Sequence, residues 1–377
     1  MRPVHEVSDV LQRNTGYLKQ WCQNSWQLRT LNAIALCRTQ ALGGHIDMCS
    51  NPHCHKIHIS YNSCRNRHCP KCQGEKREEW IKARESELFN TSYYHVVFTL
   101  PQELNYMCLL HTADMYNLLF KTAWSVIKDF AANKKFLGAK TGMISILHTW
   151  GQNLSLHPHL HCIVPGGGIT SSNNWKTVRG KGKFLFPVKA MSTVFRARFV
   201  EGLRNKVPPN DIDFNALFEN PWVVYCKKPF FGPEQVIEYL GRYSHKIAIS
   251  NHRIKTLENQ SVTFSAKDYR KGGAKHNITF TDQEFIRRFC LHILPKGFTR
   301  IRHFGILSST LKKVCVAFLQ KELGIPDFIK EKKQAKGICR ICGIGKLITI
   351  ICFDSRGPPA KSTIQNSIRL SLKALPG

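Results

Sequence analysis

Apolar positions recur at helical spacing near the start of the chain, where Leu28, Leu31, Ile34 and Ala35 form one stripe. The pattern then gives way to residues 42–73, rich in turn residues, Cys and His. Residues 75–90 are strongly charged and predict a linking helix. Tyr93 to Leu100 reads as a strand closed by Pro101, and a long helical stretch follows from Glu103 to Phe136. Residues 143–149 and 159–165 are further strands, the second ending in Gly166-Gly167-Gly168. Residues 169–187 are polar and Gly-rich, with Arg179, Lys181 and Lys183 close together, and predict a loop or hairpin near a ligand. Residues 231–245 begin as a helix should, with Pro233 near the first position and Glu234 in the first turn. Residues 246–250 and the segments around Ile254 and Val262 read as short strands. Thr281 and Glu284 have capping-box spacing and open a helix through Leu294. From Lys330 the chain is basic, and its Pro/Ser-containing end predicts partial disorder. No internal repeat is present.

Charge sharpens this picture. There are 55 Lys+Arg against 25 Asp+Glu, a net charge of +30. Such an excess on a chain able to bury real cores (42% hydrophobic) points to a polyanion partner. No uninterrupted apolar stretch has spanning length, no long basic amphipathic helix is evident, and the N-terminus lacks an apolar signal core. The expectation is a soluble intracellular protein that binds nucleic acid and no membrane. A length of 377 residues suggests two or three domains.

The 15 cysteines are unevenly spread, with Cys49, Cys54, Cys64, Cys69 and Cys72 in one window. Without a signal peptide such a cluster reads as metal binding before disulfides. Cys69 and Cys72 form a two-residue knuckle able to present two thiolates to one tetrahedral Zn²⁺. Cys49 and Cys54 supply the second pair, with Cys64, His68, His53, His55 and His58 as spare candidates. Five cysteines beside Arg65, Arg67 and Lys71 are hard to explain by packing alone, and those three cations suit a DNA contact. Cys339 and Cys342 form half a ribbon with no partner knuckle downstream and read at least as well as packing residues. The isolated cysteines, among them Cys37, read as small apolar residues.

In a strand, alternate residues share a face. His159 and His161 therefore project from one side, while Leu160 and Cys162 enter the opposite core. Two imidazoles so placed can hold one divalent ion. A hairpin would bring His148, at the end of the preceding strand, alongside as a third ligand. Taken alone, an H-x-H pair is more often solvated or buried than catalytic. Tyr239 and Tyr243 lie four apart on the predicted helix, so both hydroxyls share a face. A tyrosine hydroxyl can attack a phosphodiester and retain the phosphate covalently. An anonymous pair of this kind is more often an aromatic core stripe, but Arg242, His245 and Lys246 beside it suit a phosphate-facing surface.

Four segments together carry a resemblance: residues 37–73, 157–168, 238–251 and 284–305. They are similar, in matching order over roughly residues 20–310, to the two-tyrosine, HUH-type transposases of rolling-circle insertion sequences. The gap between Cys49 and Cys54 is longer than the two-residue spacing of relatives. The resemblance implies an α+β fold, a mainly antiparallel sheet flanked by helices (HUH endonuclease-like), preceded by a small zinc-binding domain. It divides the chain into a helix plus zinc-binding DNA-recognition domain (1–90), a catalytic domain (91–310) and a basic C-terminal extension (311–377). It makes Tyr239 and Tyr243 the nucleophiles, His159 and His161 the metal pair, Mg²⁺ or Mn²⁺ the working ion and Zn²⁺ structural. It implies cleavage and strand transfer of single-stranded DNA at element ends and target, in a bacterial cytoplasm. A zinc-dependent regulator that binds DNA without cutting it would explain the charge and cysteines but give the His and Tyr pairs no task. A site of paired acidic residues with two metals ranks last, because carboxylates are scarce.

Overall fold

The computed structural model describes residues 3–178, 185–206, 208, 212–226, 236, 241, 247–268, 271–326 and 337–374. Three helices open the chain: α1 (Val7–Arg13), α2 (Leu18–Trp21) and α3 (Ser25–Ala35). Strands β1 (Gly44–Cys49) and β2 (Ile57–Tyr61) follow, and α4 (Gln73–Glu85) is the charged helix that leaves the Cys/His segment. Then come β3 (Tyr93–Thr99), α5 (Asn105–Leu110), α6 (Thr112–Ala132), β4 (Gly142–Trp150) and β5 (Leu156–Pro165). A small hairpin, β6 (Gly167–Ile169) and β7 (Trp175–Thr177), precedes α7 (Val188–Arg204), α8 (Ala216–Glu219) and β8 (Val224–Cys226). Strands β9 (Ile254–Glu258), β10 (Ser261–Asp268) and β11 (Ala274–Thr281) run into α9 (Asp282–Cys290). The chain closes with β12 (Ile301–Gly305), α10 (Lys312–Leu323), β13 (Leu347–Phe353) and α11 (Lys361–Ala374).

The central sheet has the order β12-β4-β5-β3-β8, with every neighbouring pair antiparallel. Its alternation divides the molecule. Leu160, Cys162 and Val164 of β5, with Tyr94, Val96 and Phe98 of β3, join a core built with Phe120 of α6 and Phe195 and Phe199 of α7. The opposite parity carries His159, His161 and Ile163, and there Ile146, Ile163 and Tyr93 pack with Leu88 and Val236. The mixed α+β, mainly antiparallel class is therefore the one expected.

Strand β5 is not regular. Between the pairs His148–His159 and Trp150–Leu156, β4 advances two positions and β5 three, a bulge at His157–Pro158. Proline cannot donate to a ladder, and a bulge is where a strand tolerates it. The Pro158 carbonyl still accepts from the Leu100 N–H at 3.0 Å.

The N-terminal helices do not stand apart from the rest. Val7, Val10, Leu31 and Ile34 share a core with Val262, Phe264, Phe285 and Phe289 from the β9–β11 sheet and α9. Arg13 of α1 pairs with the buried Asp282 at the start of α9. The expected capping box of α9 forms by half. Thr281 Oγ1 accepts from the Glu284 N–H at 3.2 Å, but the Glu284 carboxylate turns to Arg287 and Arg288, at 2.7 and 2.6 Å. Charge-assisted bonds to two guanidiniums outcompete one to a neutral backbone donor.

In the C-terminal extension, expected to be partly disordered, the described residues include a paired strand and a helix. Strand β13 pairs with β1, giving a second sheet in the order β13-β1-β2. Without it β1, whose Ile46, Met48 and Cys49 are fully buried, would be an open edge. Among the described residues no helix is long and apolar enough to cross a membrane.

Candidate active site and metal centres

The β4–β5 register places His148 directly opposite His159, with His161 two positions further along β5. The ring nitrogens of His148, His159 and His161 lie within 4.8 Å of one another. His159 Nε2 and His161 Nε2 are 3.2 Å apart. Two nitrogens each about 2.1 Å from one ion stand about 3.0–3.4 Å apart, so the pair has chelating geometry. The His148 ring stacks on Trp150 and sits edge-on to His161, centroids 4.6 and 4.5 Å away. His148 is almost fully buried and His161 is 8% exposed, while His159 faces outward enough to leave one side of the group open.

Two contacts orient these rings. His159 Nδ1 donates to the His157 carbonyl at 2.6 Å, which leaves its Nε2 with the lone pair. The bulge at His157–Pro158 is what turns that carbonyl toward the ring. His161 Nδ1 lies 2.9 Å from Nε2 of the buried His95 on β3, and the rings stack at 18°. In the ion-binding tautomer, His161 Nδ1–H donates to His95. This is the outer contact that metal-ligating imidazoles require. The strand pattern places His95 on β3 but gives it no part in a site. Its parity is readable from sequence; the diagonal pairing that brings it to His161 is not.

The donor set decides which ion fits. Among the described residues no carboxylate joins the group. Imidazole suits divalent transition ions, whereas Mg²⁺ prefers oxygen. Three imidazoles therefore suit a divalent transition ion better than Mg²⁺ and leave positions for water or phosphate oxygens.

The cysteines gather differently from expectation. Cys49 and Cys54 do not meet Cys69 and Cys72. Cys69 and Cys72 cluster with Cys37 and Cys64, and Cys49 and Cys54 with Cys339 and Cys342. In the first cluster, Cys72 Sγ lies 3.5 Å from Cys37 Sγ and 3.7 Å from Cys64 Sγ. A tetrahedral ion with 2.3 Å bonds to sulfur holds its thiolates about 3.8 Å apart, while a disulfide needs about 2.05 Å. The Cys64 N–H donates to Cys37 Sγ at 3.4 Å, a support characteristic of a metal knuckle. These residues fit structural Zn²⁺. Cys37, expected to be an ordinary packing residue, completes the set; Cys64 was a spare. His68 is excluded by its role in packing: buried, it accepts from the Leu294 N–H at 3.2 Å, and burial first, then Arg67, hold its pKa down to about 3.

Of the cations expected at DNA, Arg65 is exposed on a groove of about 1170 Å³, and Lys71 lines it while paired to Glu6 at 2.6 Å. Arg38, Tyr61, His252 and Arg340 line it too. Arg67 is turned inward. Its guanidinium donates to the carbonyls of Leu294, Pro295 and Phe298, so its charge braces a turn instead of a surface. Tyr239, Tyr243, Arg242 and Lys246 lie outside the described residues. Of the stretch 231–245, Val236 and Gly241 are described; both are buried with helical backbone.

Residues 142–314 match the family model described as "Putative transposase", and residues 10–100 match the one described as "Transposase zinc-binding domain". The chain is 40% identical over 389 aligned positions to "Putative transposase y4qJ" of Sinorhizobium fredii, covering 94% of this chain and 97% of that protein. It is 27% identical over 341 positions to "Transposase for insertion sequence element IS801" of Pseudomonas savastanoi pv. phaseolicola, covering 85% of this chain and 79% of that protein. No solved structure matches.

Proposed function

Since the chain belongs to the insertion-sequence transposases of the IS91 type, we propose that it nicks and rejoins single-stranded DNA at element ends and target through 5′-phosphotyrosine intermediates. Movement is then of the rolling-circle type, in the bacterial cytoplasm, with Tyr239 and Tyr243 as nucleophiles and His148, His159 and His161 as ligands of one Mn²⁺ or Mg²⁺. The observation that carries this reading is the convergence of three imidazole nitrogens on the open side of a buried sheet face. A DNA-binding regulator has no use for such a group.

Val236 supports the part played by the tyrosines. It is buried against Ile146 and Ile163, on the sheet face that carries the histidines, and Ile146 is the ladder partner of His161. Covalent geometry alone keeps Tyr239 within about 11 Å of Val236. On the helix that the sequence predicts, positions 236, 239 and 243 share one stripe.

One tyrosine oxygen bonds to the phosphorus, the bond to the 3′ oxygen breaks, and the proton lost by the phenol is balanced by one gained at the departing 3′ hydroxyl. The 5′ phosphate stays on the tyrosine, which conserves the bond for rejoining. A 3′ hydroxyl reverses the step, and the second tyrosine allows a second strand to be opened while the first is held. The bound ion would supply charge to the phosphate as negative charge develops. The protein's own part is to hold the imidazoles by His95 and the His157 carbonyl, and to place Arg242 and Lys246 near phosphate.

The test is a nicking assay on single-stranded oligonucleotides with mass identification of the adduct. Wild type with Mn²⁺ is expected to form a tyrosine–DNA adduct, and Tyr239→Phe with Tyr243→Phe to abolish it. Undiminished nicking by that double variant would end this reading.

A further inference from the structure

We infer that Cys49, Cys54, Cys339 and Cys342 form a second structural zinc site, a ribbon split between the two ends of the chain. The zinc-binding match ends at residue 100, so half of this site comes from a segment outside it.

The geometry is that of a built centre. Cys49 Sγ lies 3.6 Å from Cys342 Sγ, and Cys54 Sγ 3.9 Å from Cys339 Sγ. Both separations straddle the roughly 3.8 Å expected around a tetrahedral ion and are far too long for a disulfide. Cys49 and Cys339 are fully buried, so four thiols would crowd together without a cation to hold them as thiolates. Each half supplies backbone donors to sulfur. The Asn51 N–H reaches Cys49 Sγ at 3.5 Å and the Gly345 N–H reaches Cys342 Sγ at 3.4 Å. His58 Nε2 stands 3.3 Å from Cys339 Sγ. The two knuckles are also bonded to each other, through Ser50 N–H to the Lys346 carbonyl at 2.8 Å and Lys346 N–H to Ser50 Oγ at 3.0 Å. Gly345 has to be glycine, because a Cβ there would collide with Cys49 Sγ and the Asn51 backbone.

The site also accounts for the β13–β1 pairing, since the knuckle at 339–342 delivers β13 directly into register with β1. It places Arg340 on the same groove as Arg38 and Arg65. The ion therefore joins the C-terminal segment to the N-terminal module and finishes one wall of a cationic groove. The site stands whichever way the DNA is cut.

Cobalt substitution of the full chain tests it, because thiolate-to-cobalt charge transfer reports sulfur-ligated sites and is blind to an all-histidine site. Wild type is expected to show the intensity of two four-thiolate sites. Cys339→Ser with Cys342→Ser, and separately Cys49→Ser with Cys54→Ser, should each halve it, the surviving half showing that the first cluster is still folded. An unchanged band in either variant would overturn the site. A second measurement needs no variant. In the zinc-loaded wild type, alkylation of Cys339 and Cys342 should be as slow as that of Cys49 and Cys54 and should accelerate with them on chelation. Labelling of Cys339 and Cys342 at the rate of the exposed Cys352 would equally overturn it.

Discussion

His95 and Arg67 show how one side chain's partners decide its work. His95 contacts His161 and not the ion, so His95→Ala should loosen a ligand without removing one. The expected result is a 10- to 100-fold loss in Mn²⁺ affinity of nicking, with zinc content unchanged. A metal titration of nicking rate beside metal analysis measures both. Arg67→Ala should act on stability instead. It leaves the Phe298 carbonyl without its donor, while the Leu294 and Pro295 carbonyls keep the Trp26 Nε1–H and the Phe298 N–H, and an unsatisfied buried acceptor costs about 1–3 kcal/mol. Thermal unfolding should shift downward while the salt dependence of DNA binding stays as it was. His292 sets a pH response. It is buried with Nε2 at 3.1 Å from the Leu154 carbonyl, and desolvation is the main cause that lowers its pKa to about 4. The folded state thus keeps it neutral where the unfolded chain, with a pKa near 6.5, takes up a proton. Its contribution is complete above about pH 6.5 and is lost as pH falls toward 4. Denaturant unfolding at stepped pH should show that acid-side decline, and His292→Gln should flatten it.

Among the elements, β5 holds the site through its parity and its bulge. Deleting Pro158 removes the bulge: β4 and β5 would then each advance two positions, and the His157 carbonyl would return to the ladder and leave the His159 ring. The deletion should lower Mn²⁺-dependent nicking by about 10- to 100-fold, whereas Pro158→Ala, which keeps the bulge, should retain most of it. Comparing the two in the oligonucleotide assay separates the bulge from proline itself. Strands 93–100, 143–149 and 159–165 were legible because alternating and apolar runs with turn residues at their ends have few other readings. The break between α5 and α6 at His111 was not, since neither Pro nor Gly marks it. Strand β13 was not legible for a related reason: it gains its stability from β1, some 300 residues away, and carries little local signal.

For the whole molecule, the charge of +30 forecasts a polyanion but not where it lies. The fold gathers Arg38, Arg65 and Arg340 from three distant segments onto one groove. Replacing Arg65 and Arg340 with alanine should weaken DNA binding and flatten its salt dependence, by about 0.9 in log–log slope for each phosphate no longer neutralised. Fluorescence anisotropy across a salt series measures this, and a slope equal to that of wild type would move the DNA-binding surface elsewhere. The α+β class came from the family resemblance; by itself the sequence determined the shared face of His159 and His161, the metal character of the N-terminal cysteines and the preference for nucleic acid. Each follows from periodicity, short spacing or summed charge, which are local or additive properties. Only the tertiary structure decided that Cys37 and Cys64 join Cys69 and Cys72, that Cys49 and Cys54 meet Cys339 and Cys342, and that His95 supports His161. Those depend on which strands pair and in what register, and pairing between distant segments is chosen by the burial of the whole core and left unspecified by any one stretch of chain.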